Sequence, residues 1–284
     1  MRLKRHSKKV MMFNFPQINP IAFSLGPIDV RWYALAYMAG FIIGWYILRL
    51  SIKKYQQPLS LAQLDTLLNA SLLGVILGGR LGYVLFYHPE FYLANPVQII
   101  AIWQGGMSFH GGFLGVLCAV IAVARYYRLS ILAVSDAVCM VAPIGLFFGR
   151  IANFINAELY GRVTSSVFGV VFPNAGPLPR HPSQLYEAGL EGMLLFIFLF
   201  WQYQKKFSPH APAPAPHGHI LAYFLIGYGL SRYVVEFARE PDAHIGYLVS
   251  LPYFTLSMGQ LLSLPMILAG LSLIIFLRRI TPHG

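Results

Sequence analysis

Charge is what this chain has least of. Only 11% of its 284 residues are Asp, Glu, Lys or Arg, and only 10 are acidic. Soluble domains carry about 25% charged residues. A soluble globular domain is therefore excluded, and the 57% hydrophobic content reads as an integral membrane protein. Cysteine is scarce too. Cys118 and Cys139 stand singly inside apolar runs, as small buried hydrophobes rather than a disulfide framework. Neither has a charged neighbour that would activate a thiol. There is no HExxH, P-loop or GxSxG pattern and no Cys/His cluster at metal-ligand spacing. Metal, nucleotide and redox chemistry have no support, and no cofactor is expected. The basic start, Met1 to Lys9, has no apolar core behind it and is not a secretory signal. Neither a repeat period nor an inverted repeat is present.

The net charge of +11 is not a nucleic-acid footprint. Five of the 21 basic residues lie in the first ten positions, and most of the others flank apolar runs. Those runs define seven expected spans, near Trp32–Leu50, Leu64–Tyr87, Met107–Ala124, Ile131–Phe148, Leu185–Tyr203, His219–Phe237 and Met258–Leu277. The expected fold is an all-α polytopic membrane protein of seven transmembrane helices, one integral membrane domain over residues 1–284.

Alternate connections carry the cations: Arg49, Lys53 and Lys54, then Arg125 and Arg128, then Lys205 and Lys206, then Arg278 and Arg279. The positive-inside bias puts these connections and the C-terminus in the cytoplasm and the N-terminus outside. The basic tail opposes that assignment. Either the chain starts at Met11 or Met12, or four consistent loops outvote the tail. Phe13–Leu25, mixed polar and aromatic, suits an interface better than a span. Residues 205–218 hold a cytoplasmic Pro/Ala linker, SPHAPAPAPH, whose His210 and His217, with His219, read as solvated rather than as a metal site. On the outer side, His88–Gln104 includes a short amphipathic piece, Val97–Trp103. Residues 150–184, rich in Gly and Pro with β-branched residues around Val167–Val171, form a small head between spans four and five. Glu240–Ser257 is the third outer connection.

Four constellations carry chemistry. GRIANFINAELYGR (Gly149–Arg162) ends the fourth span and packs Arg150, Asn153, Asn156, Glu158, Tyr160 and Arg162 into one segment. Intramembrane charges are costly and mark function by default. If the helix continues, Arg150, Asn153 and Ala157 share a face; the alternative is a polar helix end that ties down a loop. GGMSFHGG (Gly105–Gly112) puts His110, a proton exchanger near neutral pH, between glycine pairs that bend or serve helix packing. In the sixth span Tyr228, Arg232, Glu236 and Arg239 form a stripe by their spacing of four, four and three. One pair, Arg232 with Glu236, would be structural. The additional arginines exceed what Glu236 can neutralise and point to an anionic guest, for which Arg suits bidentate phosphate binding. HPSQLYE (His181–Glu187) opens the fifth span, with Pro182 at the helix start and Ser183 as its cap. A further constellation is the first span's entry at the outer interface, Arg31-Trp32-Tyr33, whose Trp32 and Tyr33 read as belt residues more than as site residues; Arg80 and Asp136 are further intramembrane charges that need partners.

Taken together, GRIANFINAELYGR, the FHGG around His110, HPSQLYE and YGLSRYVVEFAREPD resemble the bacterial prolipoprotein diacylglyceryl transferase family, in order along nearly the whole chain. Ala152 stands where the family often has Gly. The resemblance implies a multi-pass enzyme of the bacterial inner membrane with its active site toward the periplasm. It would transfer the diacylglyceryl group of phosphatidylglycerol to the lipobox cysteine of a prolipoprotein, forming a thioether and releasing glycerol phosphate. Its functional positions would be Tyr33, His110, Arg150, Asn153, Glu158, Tyr228, Arg232 and Glu236. In that chemistry Arg150 and Arg232, with Arg239, clamp the leaving phosphate. His110 takes the thiol proton, Asn153 and Tyr228 orient the headgroup, and Glu236 holds Arg232. The rival readings are a transporter or flippase for an anionic lipid or solute, and a membrane scaffold in which every intramembrane charge is paired.

Overall fold

A hydrocarbon layer offers no partner to a backbone N–H or C=O, so apolar runs that cross it close their hydrogen bonds internally as helices. The computed structural model follows that rule; it describes residues 13–26, 28–54, 58–207, 216–240, 247–251 and 254–280. The basic tail with Met11 and Met12, residues 208–215 of the linker including His210, and parts of the Glu240–Ser257 connection lie outside the described residues.

The helices are α1 (Trp32–Lys54), α2 (Leu61–Phe86), α3 (Pro89–Ala94), α4 (Phe109–Tyr126), α5 (Ile131–Ile155), α6 (Ser183–Glu187), α7 (Leu195–Phe207), α8 (His219–Val235) and α9 (Met258–Ile280). A π-helical segment, Ala188–Leu194, joins α6 to α7, so Ser183–Phe207 is one continuous rod. Among the described residues six helices are long and apolar enough to cross a membrane: α1, α2, α4, α5, the Ser183–Phe207 rod and α9. The sixth expected span, His219–Phe237, forms α8, which at 17 residues is the shortest of the set. Local chemistry fixes the ends. Ser60 starts α2 with a capping box, its Oγ accepting from Gln63 N–H while Gln63 Oε1 accepts from Ser60 N–H at 2.8 Å.

The chain is mostly but not wholly helical. β1 (Phe13–Asn14) pairs in parallel with β4 (Val170–Val171), β2 (Ile21–Leu25) pairs antiparallel with β3 (Ile28–Arg31), and β5 (Tyr247–Leu251) with β6 (Phe254–Ser257). Strands this short leave too little alternation to be read from sequence.

The chain divides into two compact units, one of residues 1–44, 140–201 and 222–284, the other of 45–139 and 202–221. In the second unit α2 and α4 meet along a glycine stripe. A Cβ on Gly78 would collide with the Gly111 carbonyl, and one on Gly115 with that of Gly74. Small residues at this spacing let two backbones touch in lipid. Arg80, buried in α2, donates from Nε to the Ile99 carbonyl (2.7 Å), from Nη2 to that of Gln98 (2.6 Å), and from Nη1 to those of Gly105 and Gly106. That clip holds the Val97–Trp103 piece, two 3-10 turns whose Val97, Ile100 and Trp103 stay exposed. Asp136, fully buried, accepts from Lys206 Nζ (2.8 Å) and from the Gly218 and Leu221 N–H groups (2.8 and 2.9 Å), which places a carboxylate at the α8 N-terminus. Lys206 is thus a partner of Asp136, not a loop cation. In the first unit the segment after α5 builds its own small core, in which Ala157, Val170 and Phe172 pack with Phe15, Phe154, Tyr160 and Ala175.

Candidate active site

The site starts where α5 stops. Ala157 N–H bonds to the Phe154 carbonyl (2.9 Å) and Glu158 N–H to that of Asn153 (3.1 Å). This crossed pair is the helix stop that usually carries glycine in the left-handed position. Here Ala157 takes it at φ 52°, and Leu159 follows at 55°, a strain of roughly 1–2 kcal/mol each. Burial of Ala157 in the core described above offsets part of it. The turn folds Glu158 back over the last helical turn. Asn153 Nδ2 donates to Glu158 Oε1 at 2.7 Å, and Arg150 Nη1 donates to Asn153 Oδ1 at 3.4 Å. The helix does not continue through the motif, so Ala157 leaves the face that Arg150 and Asn153 share.

The HPSQLYE segment ties down the carbonyls this turn exposes. Ser183 Oγ donates to the Leu159 carbonyl (3.1 Å) and Gln184 Nε2 to that of Glu158 (2.6 Å). Ser183 is therefore not a helix cap; Pro182 holds the N-cap position without a side-chain bond. Gly161 N–H bonds to the His181 carbonyl at 2.8 Å, and a Cβ on Gly161 would strike the Ala238 carbonyl. Burial pushes the His181 imidazole below its usual pKa. Arg162 donates to the carbonyls of Arg239 (2.8 Å) and Glu236 (3.2 Å). Arg180 donates to the Gly161 carbonyl (3.2 Å), pairs with Glu240 (2.9 Å) and lies over the Tyr160 ring.

Behind this turn lies a buried ionic cluster. Glu187 and Glu191, both 0% exposed, sit at the end of α6 and inside the π-helical segment. Glu187 Oε2 accepts from Arg232 Nη1 at 2.9 Å and forms an ion pair with Arg150, 2.8 Å from its Nε. Glu191 is more distant, 3.8 Å from Arg150 Nη2 and 3.6 Å from Arg232 Nη1. Arg232 Nη2 pairs with Glu236 Oε2 at 3.0 Å, while Ser257 Oγ donates to Glu236 Oε1 at 3.0 Å. The expected cationic surplus is overturned: Glu187, Glu191 and Glu236 face the guanidiniums of Arg150 and Arg232. Sequence reasoning placed Glu187 only as a helix start and passed over Glu191. The signal was there, in two acids four apart entering an apolar run.

The structure brings Arg150, Asn153 and Glu158 together, and Arg150, Arg232 and Glu236 together through Glu187. Tyr228 stacks on Phe224 with its phenol in the field of Glu191, Arg232, Arg150 and Glu187. Tyr33 bonds its hydroxyl to that of Tyr37 at 3.3 Å, and Tyr37 lies in the field of Arg150 and Glu158. Arg239 leaves the stripe, because α8 ends at Val235 and the Arg239 main chain bridges to Gly161. His110 belongs to the other unit, exposed in the first turn of α4 behind its N-cap Ser108. Among the described residues no three His, Cys, Asp or Glu side chains gather as a metal site requires.

Among the described residues Arg150 has one close ion pair, at Nε. Its terminal nitrogens reach Asn153 and Glu191 only at 3.4 and 3.8 Å, beyond good hydrogen-bond length. An oriented guanidinium with loosely held terminal N–H groups can take a phosphate oxygen without first breaking its anchor.

Comparison with known proteins matches residues 20–276 to a family described as prolipoprotein diacylglyceryl transferase. A Rhodospirillum rubrum protein named phosphatidylglycerol–prolipoprotein diacylglyceryl transferase is 52% identical over 272 residues, 94% of this chain and 95% of its own length. Proteins of the same name from Paramagnetospirillum magneticum and Oleidesulfovibrio alaskensis are 50% and 49% identical, over 92% and 93% of this chain and 94% and 95% of their own.

Proposed function

The chain belongs to the prolipoprotein diacylglyceryl transferase family, and from that premise we propose that it moves the diacylglyceryl group of phosphatidylglycerol to the thiol of a prolipoprotein's lipobox cysteine. The reaction makes a C–S bond and breaks the C–O bond to phosphate. The electron pair goes to the phosphate oxygen, and the thiol proton has to leave sulfur. Glycerol phosphate departs. No observation favours the transporter reading.

The observation that carries the proposal is the single Glu187 oxygen that holds Arg150 and Arg232 side by side. A phosphodiester that gains charge as it leaves needs fixed cations, and one preorganised donor at such a place is worth roughly 3 kcal/mol. Arg150 and Arg232 supply them, and Arg239 is the third cation of the headgroup site. Asn153 and Glu158, locked to each other, orient the headgroup together with Tyr228 and Tyr33. Glu236 holds Arg232. His110 is the group assigned to take the thiol proton, on its chemistry alone, since a free thiol has a pKa of about 8.5 and gains from a base.

With α8 counted as a span the protein crosses the membrane seven times, N-terminus outside and C-terminus in the cytoplasm. The membrane is the bacterial inner one, with the site and the head of residues 150–184 on the periplasmic side. The alternating cations support that orientation with Lys206 set aside. One experiment tests the whole reading. Purified protein, phosphatidylglycerol and a lipobox peptide are incubated, and the peptide is weighed by mass spectrometry. A gain of one diacylglyceryl group is expected, absent when phosphatidylethanolamine replaces phosphatidylglycerol. No gain with phosphatidylglycerol overturns it.

A further inference from the structure

Glu187 has so far served only to place two arginines side by side; among the described residues it is the one side chain within 3 Å of both. We propose that Glu187 is the positioning residue of the headgroup site: it sets the spacing and facing of Arg150 and Arg232, and so decides which nitrogens are left for phosphate. The proposal rests on the transferase reading.

Three features of the geometry carry it. First, one oxygen does the bridging, Oε2 at 2.8 and 2.9 Å from two guanidiniums, while Oε1 is buried with no hydrogen-bond partner among the described residues. A carboxylate kept only to balance charge would share its two oxygens between its two partners. Second, Glu187 takes Nε of Arg150, not a terminal nitrogen. An ion pair at that nitrogen holds the guanidinium by its inner end and leaves Nη1 and Nη2 with partners only at 3.4 and 3.8 Å. Third, Glu191 is the same kind of side chain, as deeply buried and four residues further along the rod, but it comes no closer than 3.6 Å to either arginine, and neither of its oxygens has a hydrogen-bond partner among the described residues. The two acids thus separate bonding from charge. Glu187 aims the arginines, and Glu191 shares only their field.

Arg150 from α5, Arg232 and Tyr228 from α8, and Glu236 beyond it all surround the pair. Arg232 is held from a second side by Glu236 at 3.0 Å. Among the described residues Arg150 has no other polar contact of that length, so the loss of Glu187 frees Arg150 more than Arg232.

The test uses full-length purified protein and the lipobox-peptide assay, with kcat and KM for phosphatidylglycerol and the melting temperature measured for Glu187→Gln, Glu187→Asp and Glu191→Gln. Glu187→Gln is expected to lose about 100-fold or more in kcat/KM, mostly in kcat, because the clamp matters most as charge develops on the leaving phosphate. Glu187→Asp keeps the charge but is one methylene too short to reach both arginines, and is expected to stay within about tenfold of Glu187→Gln. Glu191→Gln is expected to lose at least about tenfold less than Glu187→Gln. Wild-type kcat in Glu187→Asp, equal losses in the two Gln variants, or a rise in KM with kcat unchanged would each overturn the proposal. If Glu187→Gln does not fold, Glu187→Asp decides alone: lost kcat at a wild-type melting temperature supports the bridge, retained kcat removes it. A wild-type protein that fails to modify the peptide would instead sink the transferase reading.

Discussion

The molecule handles buried charge in two ways. Asp136 and Arg80 are met in full. Asp136 has three donors at 2.8–2.9 Å, and Arg80 spends its guanidinium on four carbonyls. Around Arg150 and Arg232 the matching is poor. Buried carboxylate oxygens of Glu187 and Glu191 lack hydrogen-bond partners among the described residues, and the terminal nitrogens of Arg150 reach their partners only at 3.4 Å or more. A buried charge with every bond made serves the fold, because removing it costs stability and nothing else in it is left to offer. A buried charge with bonds left over is poised for something that arrives. The intramembrane charges of this chain, alike in sequence, separate on that criterion.

Breaking a satisfied charge should give the largest effect. Asp136→Asn leaves the Lys206 ammonium buried and unpaired, and a stability loss of about 3–5 kcal/mol is expected, read as a lower melting temperature and poor recovery from the membrane. Substituting both, Asp136→Leu with Lys206→Met, should recover most of it. Arg150→Lys sharpens the other side. It keeps charge but loses the fork, and transfer should fall about 100-fold or more, roughly 3 kcal/mol, while insertion and melting stay near wild type. Normal transfer by that variant would remove the clamp. Arg80→Met should cost about 2–3 kcal/mol of stability through its orphaned carbonyls, with little change in activity per folded molecule; a specific activity loss at unchanged melting would blur the contrast. His110→Ala should lose activity at neutral pH and regain some toward the thiol pKa of about 8.5, since thiolate then forms without a base. A variant with an unaltered pH profile would end that assignment. The smallest effect is expected at Ala157→Gly, a gain of about 1 kcal/mol from relief of its left-handed backbone, seen as a modestly higher melting temperature.

Much of this was legible beforehand, and the illegible parts share a cause. Long apolar runs read directly as helices, because lipid enforces one solution on each. Arg150, Asn153, Glu158, Arg232 and Glu236 stood out as polar residues in apolar surroundings. What failed was the tally between them. Glu191 hides among Leu185–Tyr203, and its proximity to Arg150 depends on α5 and the Ser183–Phe207 rod packing closely, where a Cβ on Gly192 would strike Phe147. Arg80 and Asp136 could not be paired from sequence because most of their partners are peptide groups, which every residue carries. Arg239 and Ala157 were misplaced for a local reason. Both lie within about one turn past a helix end, where periodicity still suggests a face but the backbone has already turned away. Ala157 gave no glycine to mark the stop.

The rod that holds Glu187 and Glu191 winds wider than an ordinary α-helix between Ala188 and Leu194, as a single surplus residue per coil makes it do. Deleting one residue there would let the rod tighten into regular geometry and gain in local regularity. Lost between the two acids, that residue would also leave Glu191 three places from Glu187 instead of four, still on one face of the helix but no longer set against Arg150 and Arg232 as it is now. A shortened chain would therefore be the neater helix and the poorer enzyme.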